Sequence, residues 1–191
     1  MASRLPVLFM ILVAPTAFAQ GIGSQSLSVS GNCAILALIL GSDSAVSGLD
    51  SSSPGPDLAV SYRFALQPAL EVGADTGLVF LGTKVGQSFL LVPLTASGRW
   101  TPSVKGFEFP IDFGVGIAYS RYDEISNLDP MLDLRLGAGY RISESITVGL
   151  DVNNLLLIQW FHQDSSQNRA GYFPGIGLFG SYRWDKPNKT P

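Results

Sequence analysis

The sequence predicts an all-β chain: an eight-stranded, antiparallel, up-and-down transmembrane β-barrel behind a cleaved signal peptide. Three observations carry this. Eight segments alternate apolar and polar residues with a period of two. The chain of 191 residues is 46% hydrophobic and only 14% charged, with 21 glycines. Yet after its N-terminus no stretch approaches the ~20 apolar residues that a spanning helix needs; the longest is Ala34 to Leu40. Within lipid, only helices and closed barrels satisfy their own backbone, so an apolar exported chain without spanning helices points to a barrel.

An export signal supports the same reading. MASRLPVLFMILVAPTAFAQ offers Arg4 as a positive start, an apolar stretch from Leu5 to Ala14, and Ala17-Phe18-Ala19 as a small-residue cleavage site. Residues 1–19 are therefore expected to be removed, leaving 20–191 as the barrel domain. The net charge of −3 and the absence of a basic run exclude nucleic acid as a partner. The single cysteine, Cys33, reads as a small buried apolar residue. One cysteine and one histidine cannot make a metal site, so neither metal nor cofactor is expected.

The segments follow in order. The first runs from about Leu27 to Leu40, and the second from Leu58 to Leu66, with Arg63 in the polar phase. The third, Leu70 to Leu81, sets Glu71, Gly73, Asp75 and Gly77 against its apolar residues. The fourth is Phe89 to Trp100, and the fifth is Phe107 to Tyr122. The sixth and seventh make the clearest hairpin, MLDLRLGAGYRISESITVGLDV, turning at Ser143-Glu144-Ser145. The eighth is Tyr172 to Trp184. Connections at 67–69, 101–106 and 143–145 are short; those at 41–57, 123–130 and 161–171 are longer, while the hairpin at 83–86 is short on the long side. That pattern predicts periplasmic turns opposite outer loops, with both termini periplasmic. Aromatic residues fall at both rims: Phe80, Tyr119, Tyr122, Trp160, Phe161, Tyr172 and Phe173 at the outer one, and Phe64, Trp100, Phe107, Tyr140, Tyr182 and Trp184 at the other.

The stretches Phe113-Gly-Val-Gly-Ile-Ala-Tyr119, Leu136 to Val152 and Gly177-Leu-Phe-Gly-Ser-Tyr-Arg-Trp184 resemble the small outer-membrane β-barrel superfamily of Gram-negative envelopes, the OmpA-, OmpX- and OmpW-like barrels. The resemblance implies an outer-membrane location amid lipid and lipopolysaccharide, and handling by the barrel-assembly machinery. These relatives usually end on an aromatic residue, whereas here seven residues follow Trp184. The chain has no room for the peptidoglycan-binding domain that OmpA relatives carry.

In this geometry the polar phase faces the lumen. Arg63, Glu71, Arg99, Glu108, Asp112, Arg141 and Arg183 form its floor, with Asp75 and Asp151 near the middle and Asp133 and Arg135 above. Buried charges persist only when paired, hydrogen-bonded or wet, so the expectation is a salt-bridged plug or gate. Higher up, the inward phase turns apolar: Leu36, Leu38, Leu40, Val79, Leu81, Phe89, Leu91, Leu155 and Leu157. Such a surface either binds a small hydrophobic molecule, as the OmpW likeness implies, or simply fills the barrel. Pro93, Pro110 and Pro174 lie inside strands and mark either local bulges or a seam that opens sideways. The expected role is structural, or that of a narrow conduit or binding vestibule, with no enzymatic activity. The rivals are an adhesin presenting its outer loops, a soluble lipocalin-like barrel and a lipid A-modifying enzyme. Deacylases of this shape use a His-x-Ser pair, but two residues after His162 stands Asp164, leaving only Ser165 or Ser166 as a partner.

Overall fold

The structure, a computed structural model, describes residues 22–41, 53–82, 88–122, 125–159 and 169–184. Its strands are β1 (Gln25–Ala34), β2 (Leu38–Gly41), β3 (Gly55–Gln67), β4 (Leu70–Gly82), β5 (Ser88–Trp100), β6 (Ser103–Val104), β7 (Phe107–Glu108), β8 (Ile111–Tyr122), β9 (Ile125–Arg141), β10 (Ile146–Gln159) and β11 (Arg169–Trp184). Pairing runs β1-β3-β4-β5-β8-β9-β10-β11 and returns to β1, antiparallel at every step. That is a closed barrel of eight staves. β2 continues the first stave along β11, and the small β6–β7 hairpin extends the wall at Phe107↔Tyr140. The expected signal peptide, the tail after Trp184 and most of the outer connections lie outside the described residues.

Period-two alternation sorts the two faces. Leu58, Val60, Phe113, Val115, Leu134, Leu136, Leu150, Ile176 and Leu178 all point outward and are exposed, forming an apolar belt. Tyr62, Trp100, Phe107, Tyr140 and Tyr182 ring one end of it, and Phe80 and Tyr119 sit towards the other. Serines, arginines and carboxylates of the opposite phase are buried inside. The short turns behave as read. At the β9–β10 hairpin the Ser143 hydroxyl accepts from the backbone N–H groups of Ser145 (3.3 Å) and Ile146 (3.1 Å), which closes the turn locally.

Several expectations need correction. β3 starts at Gly55 and β9 at Ile125, earlier than the sequence suggested, because Asp57, Asp129 and Pro130 carry turn chemistry but continue the ladder. Pro130 points outward opposite Ile117, within an unbroken β8–β9 register. Phe173 is not at the rim; it is 3% exposed inside the barrel, stacked on Phe89 with ring centroids 5.4 Å apart. Cys33 is exposed on the outer face instead of buried. Pro93 and Pro174 lie inside strands as expected, Pro110 falls between β7 and β8 instead, and all three leave the ring closed. At Pro93 the β4–β5 pairing skips from Thr76↔Leu94 to Val79↔Leu91, and the Thr76 hydroxyl donates to the Pro93 carbonyl at 2.9 Å. Pro110 accepts from Gly137 N–H, and Pro174 from Ile35 N–H. Each marks a local irregularity, not an open seam.

Inward glycines have a specific use. Phe179 projects into the lumen over Gly137, Gly139 and Gly149 of the facing strands. A β-carbon on Gly139 would lie 2.8 Å from the Phe179 ring and 2.9 Å from the Thr147 methyl. Gly139→Ala should therefore destabilise the barrel by about 1–3 kcal/mol through overpacking, read as a lower urea midpoint for the refolded protein in detergent micelles. Gly180 has open space around it, so Gly180→Ala should leave the midpoint nearly unchanged.

Candidate functional site

The lumen gathers nearly all the chemistry of the chain, in levels. At the end bearing the β9–β10 turn, Glu108 accepts from Arg141 (Nε, 3.0 Å), from Arg183 (3.5 Å) and from the Thr147 hydroxyl (2.9 Å). Next comes a tighter group. Arg63, with 0% exposure, bridges Asp75 at 2.7 Å and Asp112 at 3.1 Å. Arg99 grips Asp112 with two parallel bonds of 2.7 and 3.0 Å, the bidentate geometry that suits a guanidinium. Glu71 accepts from Ser26 at 3.3 Å. Above them Arg135 pairs with Asp133 at 2.8 Å, and a row of amides and carboxylates crosses β3, β1 and β10. A cavity of about 20 Å³ lies among Ser30, Arg99, Asp112, Arg135, Asp151 and Phe179, room for about one water molecule.

The outer half is apolar. Val79, Leu81, Phe89, Leu91, Leu155 and Leu157 pack together with Ala34, Ala118, Met131 and Phe173, and Leu36 leans on the group. The sequence-predicted residues thus meet, but as a filled core; a ligand among them would require these side chains to part. Leu38 and Leu40 pair with β11 through their backbones, and their side chains lie outside the described residues. His162 does so as well.

Of the predicted charges, Arg63, Glu71, Asp75, Arg99, Glu108, Asp112, Asp133, Arg135 and Asp151 are all buried inward, while Arg141 and Arg183 are half-buried at the mouth. Sequence reasoning missed Asp57 and Asp129, since both lay in stretches read as loops. It also passed over the lumenal roles of Asn32 and Asn153. Their signal was parity: each lies an even number of residues from a recognised inward position in its own segment, Leu36 and Asp151 respectively. Asp129 accepts from the Ser120 hydroxyl at 3.1 Å.

A closed eight-stranded antiparallel barrel with an apolar belt, aromatic rims and a salt-bridged interior is the fold of the small outer-membrane β-barrels. A protein-family model matches residues 16–182, and the chain belongs to that family. Among solved structures, the chain is similar to Neisserial surface protein A, with 10% identity over 87% of this chain and 99% of that one and a TM-score of 0.61. It is also similar to the outer-membrane protein OprG from Pseudomonas aeruginosa (10% identity, 88% and 99% coverage, TM-score 0.52) and to Ail, the attachment invasion locus protein of Yersinia pestis (12%, 85% and 99%, 0.51). At such identities the likeness is one of fold. No curated protein matches the sequence.

Because Arg63 sits between two carboxylates with no access to solvent, removing it leaves Asp75 without its ion-pair partner and Asp112 with Arg99 alone. Arg63→Met should cost about 3–5 kcal/mol of stability. Adding Asp75→Asn to that variant should recover part of the loss. A double-mutant cycle on denaturant midpoints measures the coupling.

Proposed function

We propose that this protein is a structural outer-membrane barrel with a sealed lumen, not an open pore. The observation that supports this is that two unlike seals stand in series: the ion-paired levels around Arg63 and Arg99, and the apolar core around Leu81 and Leu91. Ions are stopped by the second and hydrophobic solutes by the first. The belt is read as facing lipid and lipopolysaccharide, assembled there by the barrel-assembly machinery, with no nucleic-acid partner. The protein is read as having no enzymatic activity. Lipid A from cells with the parent or His162→Ala should show the same mass spectrum.

A second reading, a vestibule for small hydrophobic molecules, is favoured by one feature of the wall. Pairing between β1 and β3 ends at Ala34↔Gly55, whereas the first stave continues along β11 to Gly41. The described wall is therefore one-sided beside Leu36, next to the apolar core.

Planar-bilayer recordings separate these readings from a pore. The refolded barrel should give no discrete ohmic steps, and liposomes containing it should not swell in sugar solutions; stepwise conductance would overturn the sealed-lumen reading. For the vestibule, Leu157→Arg should abolish enhancement of a fluorescent apolar dye's uptake by cells expressing the barrel. Equal uptake with and without the parent protein would remove that reading.

A further inference from the structure

We propose that the lumen binds a hard, oxygen-seeking cation between Asp57 and Asp151, with the amide oxygens of Asn32 and Asn153 completing the site. The register makes these residues one continuous row. Asp57 on β3 pairs with Asn32 on β1, Asn32 with Gly177 on β11, and Gly177 with Asp151 on β10. Asn153 stands one inward position further along β10, opposite Gly175. Three staves thus offer two carboxylates and two amides, and β11, between β1 and β10, contributes only the glycines Gly175 and Gly177 to this level.

The donors and acceptors in this row do not balance. Asp57 Oδ2 accepts from Asn32 Nδ2 at 3.3 Å and from Asn153 Nδ2, an acceptor pattern suited to an ionised carboxylate. Both amide nitrogens are therefore engaged, and the oxygens are left over. Asn32 Oδ1, Asn153 Oδ1 and Asp151 Oδ1 are all buried with no hydrogen-bond partner. Asn32 Oδ1 takes up the space a β-carbon on Gly177 would need, and Asn153 Oδ1 does the same over Gly175.

Charge does not balance either. Asp57 is 2% exposed and Asp151 6%, and among the described residues neither joins a salt bridge. Arg135, the cation of this level, is committed to Asp133 through Nη2 at 2.8 Å and Nε at 3.4 Å. The apolar core begins directly above, at Ala34, Leu155 and Phe173, so bulk water does not hydrate the carboxylates from that side. Asp57 and Asp151 share the attraction of Arg135 with Asp133, and two buried carboxylates with no ion-pair partner of their own are costly. An all-oxygen set of two carboxylates and two amides selects a hard cation of the calcium or sodium kind over zinc or copper. The charge of the two carboxylates favours calcium; magnesium, which gives up its water reluctantly, fits a dry lumen poorly.

The test uses the full barrel, refolded free of lipopolysaccharide in a zwitterionic detergent, stripped with chelator and exchanged into choline chloride. Calcium, sodium or magnesium ions are then added separately. Bound metal is measured by atomic emission after gel filtration, and stability by the temperature of the heat-dependent gel shift. The expected result is about one calcium or sodium ion retained per chain and a midpoint raised by roughly 5 °C or more. Asp57→Asn and Asp151→Asn should each lose both effects, and in choline alone they should melt above the parent, because each removes an uncompensated charge. Should one variant fail to fold, the other and the parent's metal content decide. No retained metal and no shift would mean the row holds only water, and the proposal fails.

Discussion

The pairing of β1 with β11 is the contact on which everything else in this barrel depends. It turns a meander of antiparallel strands into a ring, so that along Gln25–Ala34 no strand edge is left with unpaired N–H and C=O groups. Ten residues of β1, Gln25 to Ala34, are paired on both sides at once, to Trp184–Gly175 and to Phe64–Gly55. Side chains reinforce the closure at the rim that bears the short turns. Gln25 Oε1 accepts from the Tyr62 hydroxyl at 2.8 Å and from Trp184 Nε1 at 3.2 Å, tying the last strand to the second stave across the first.

Closure has a cost that the interior must meet. With eight staves the ring is too narrow to hold bulk water, so every polar side chain of the inward phase is desolvated and must find a partner within the lumen. The answer differs by level. Arg63 and Arg99 share Asp112, and Arg141 and Arg183 share Glu108, so each carboxylate serves two guanidiniums. Further along the axis the balance reverses, and Asp57, Asp133 and Asp151 face only Arg135. Beyond that, polarity is abandoned and leucines and phenylalanines fill the tube. Inward glycines let this filling work, because Phe179 and the two asparagines occupy space that neighbouring β-carbons would otherwise take.

What the sequence determined by itself was the alternation, and with it the fold class and the identity of nearly every inward charge. Period two is a local property of extended backbone, so it survives in the primary structure without knowledge of partners. Leu132-Asp133-Leu134-Arg135-Leu136 shows it in five residues, and all five face as the alternation predicts. Strand ends were less legible. Asp57, Asp129 and Pro130 look like turn residues on chemical grounds, and only their cross-strand partners keep them in the ladder. The tertiary structure alone decided which charges meet, since Arg63 and Asp112 are brought together by the shear of a closed ring and not by proximity in sequence. It also decided that the upper leucines form a packed core, that Phe173 turns inward, and that two carboxylates share a row with no cation of their own. Those outcomes depend on lumen width and on the stagger between strands, and both arise only when the first strand meets the last.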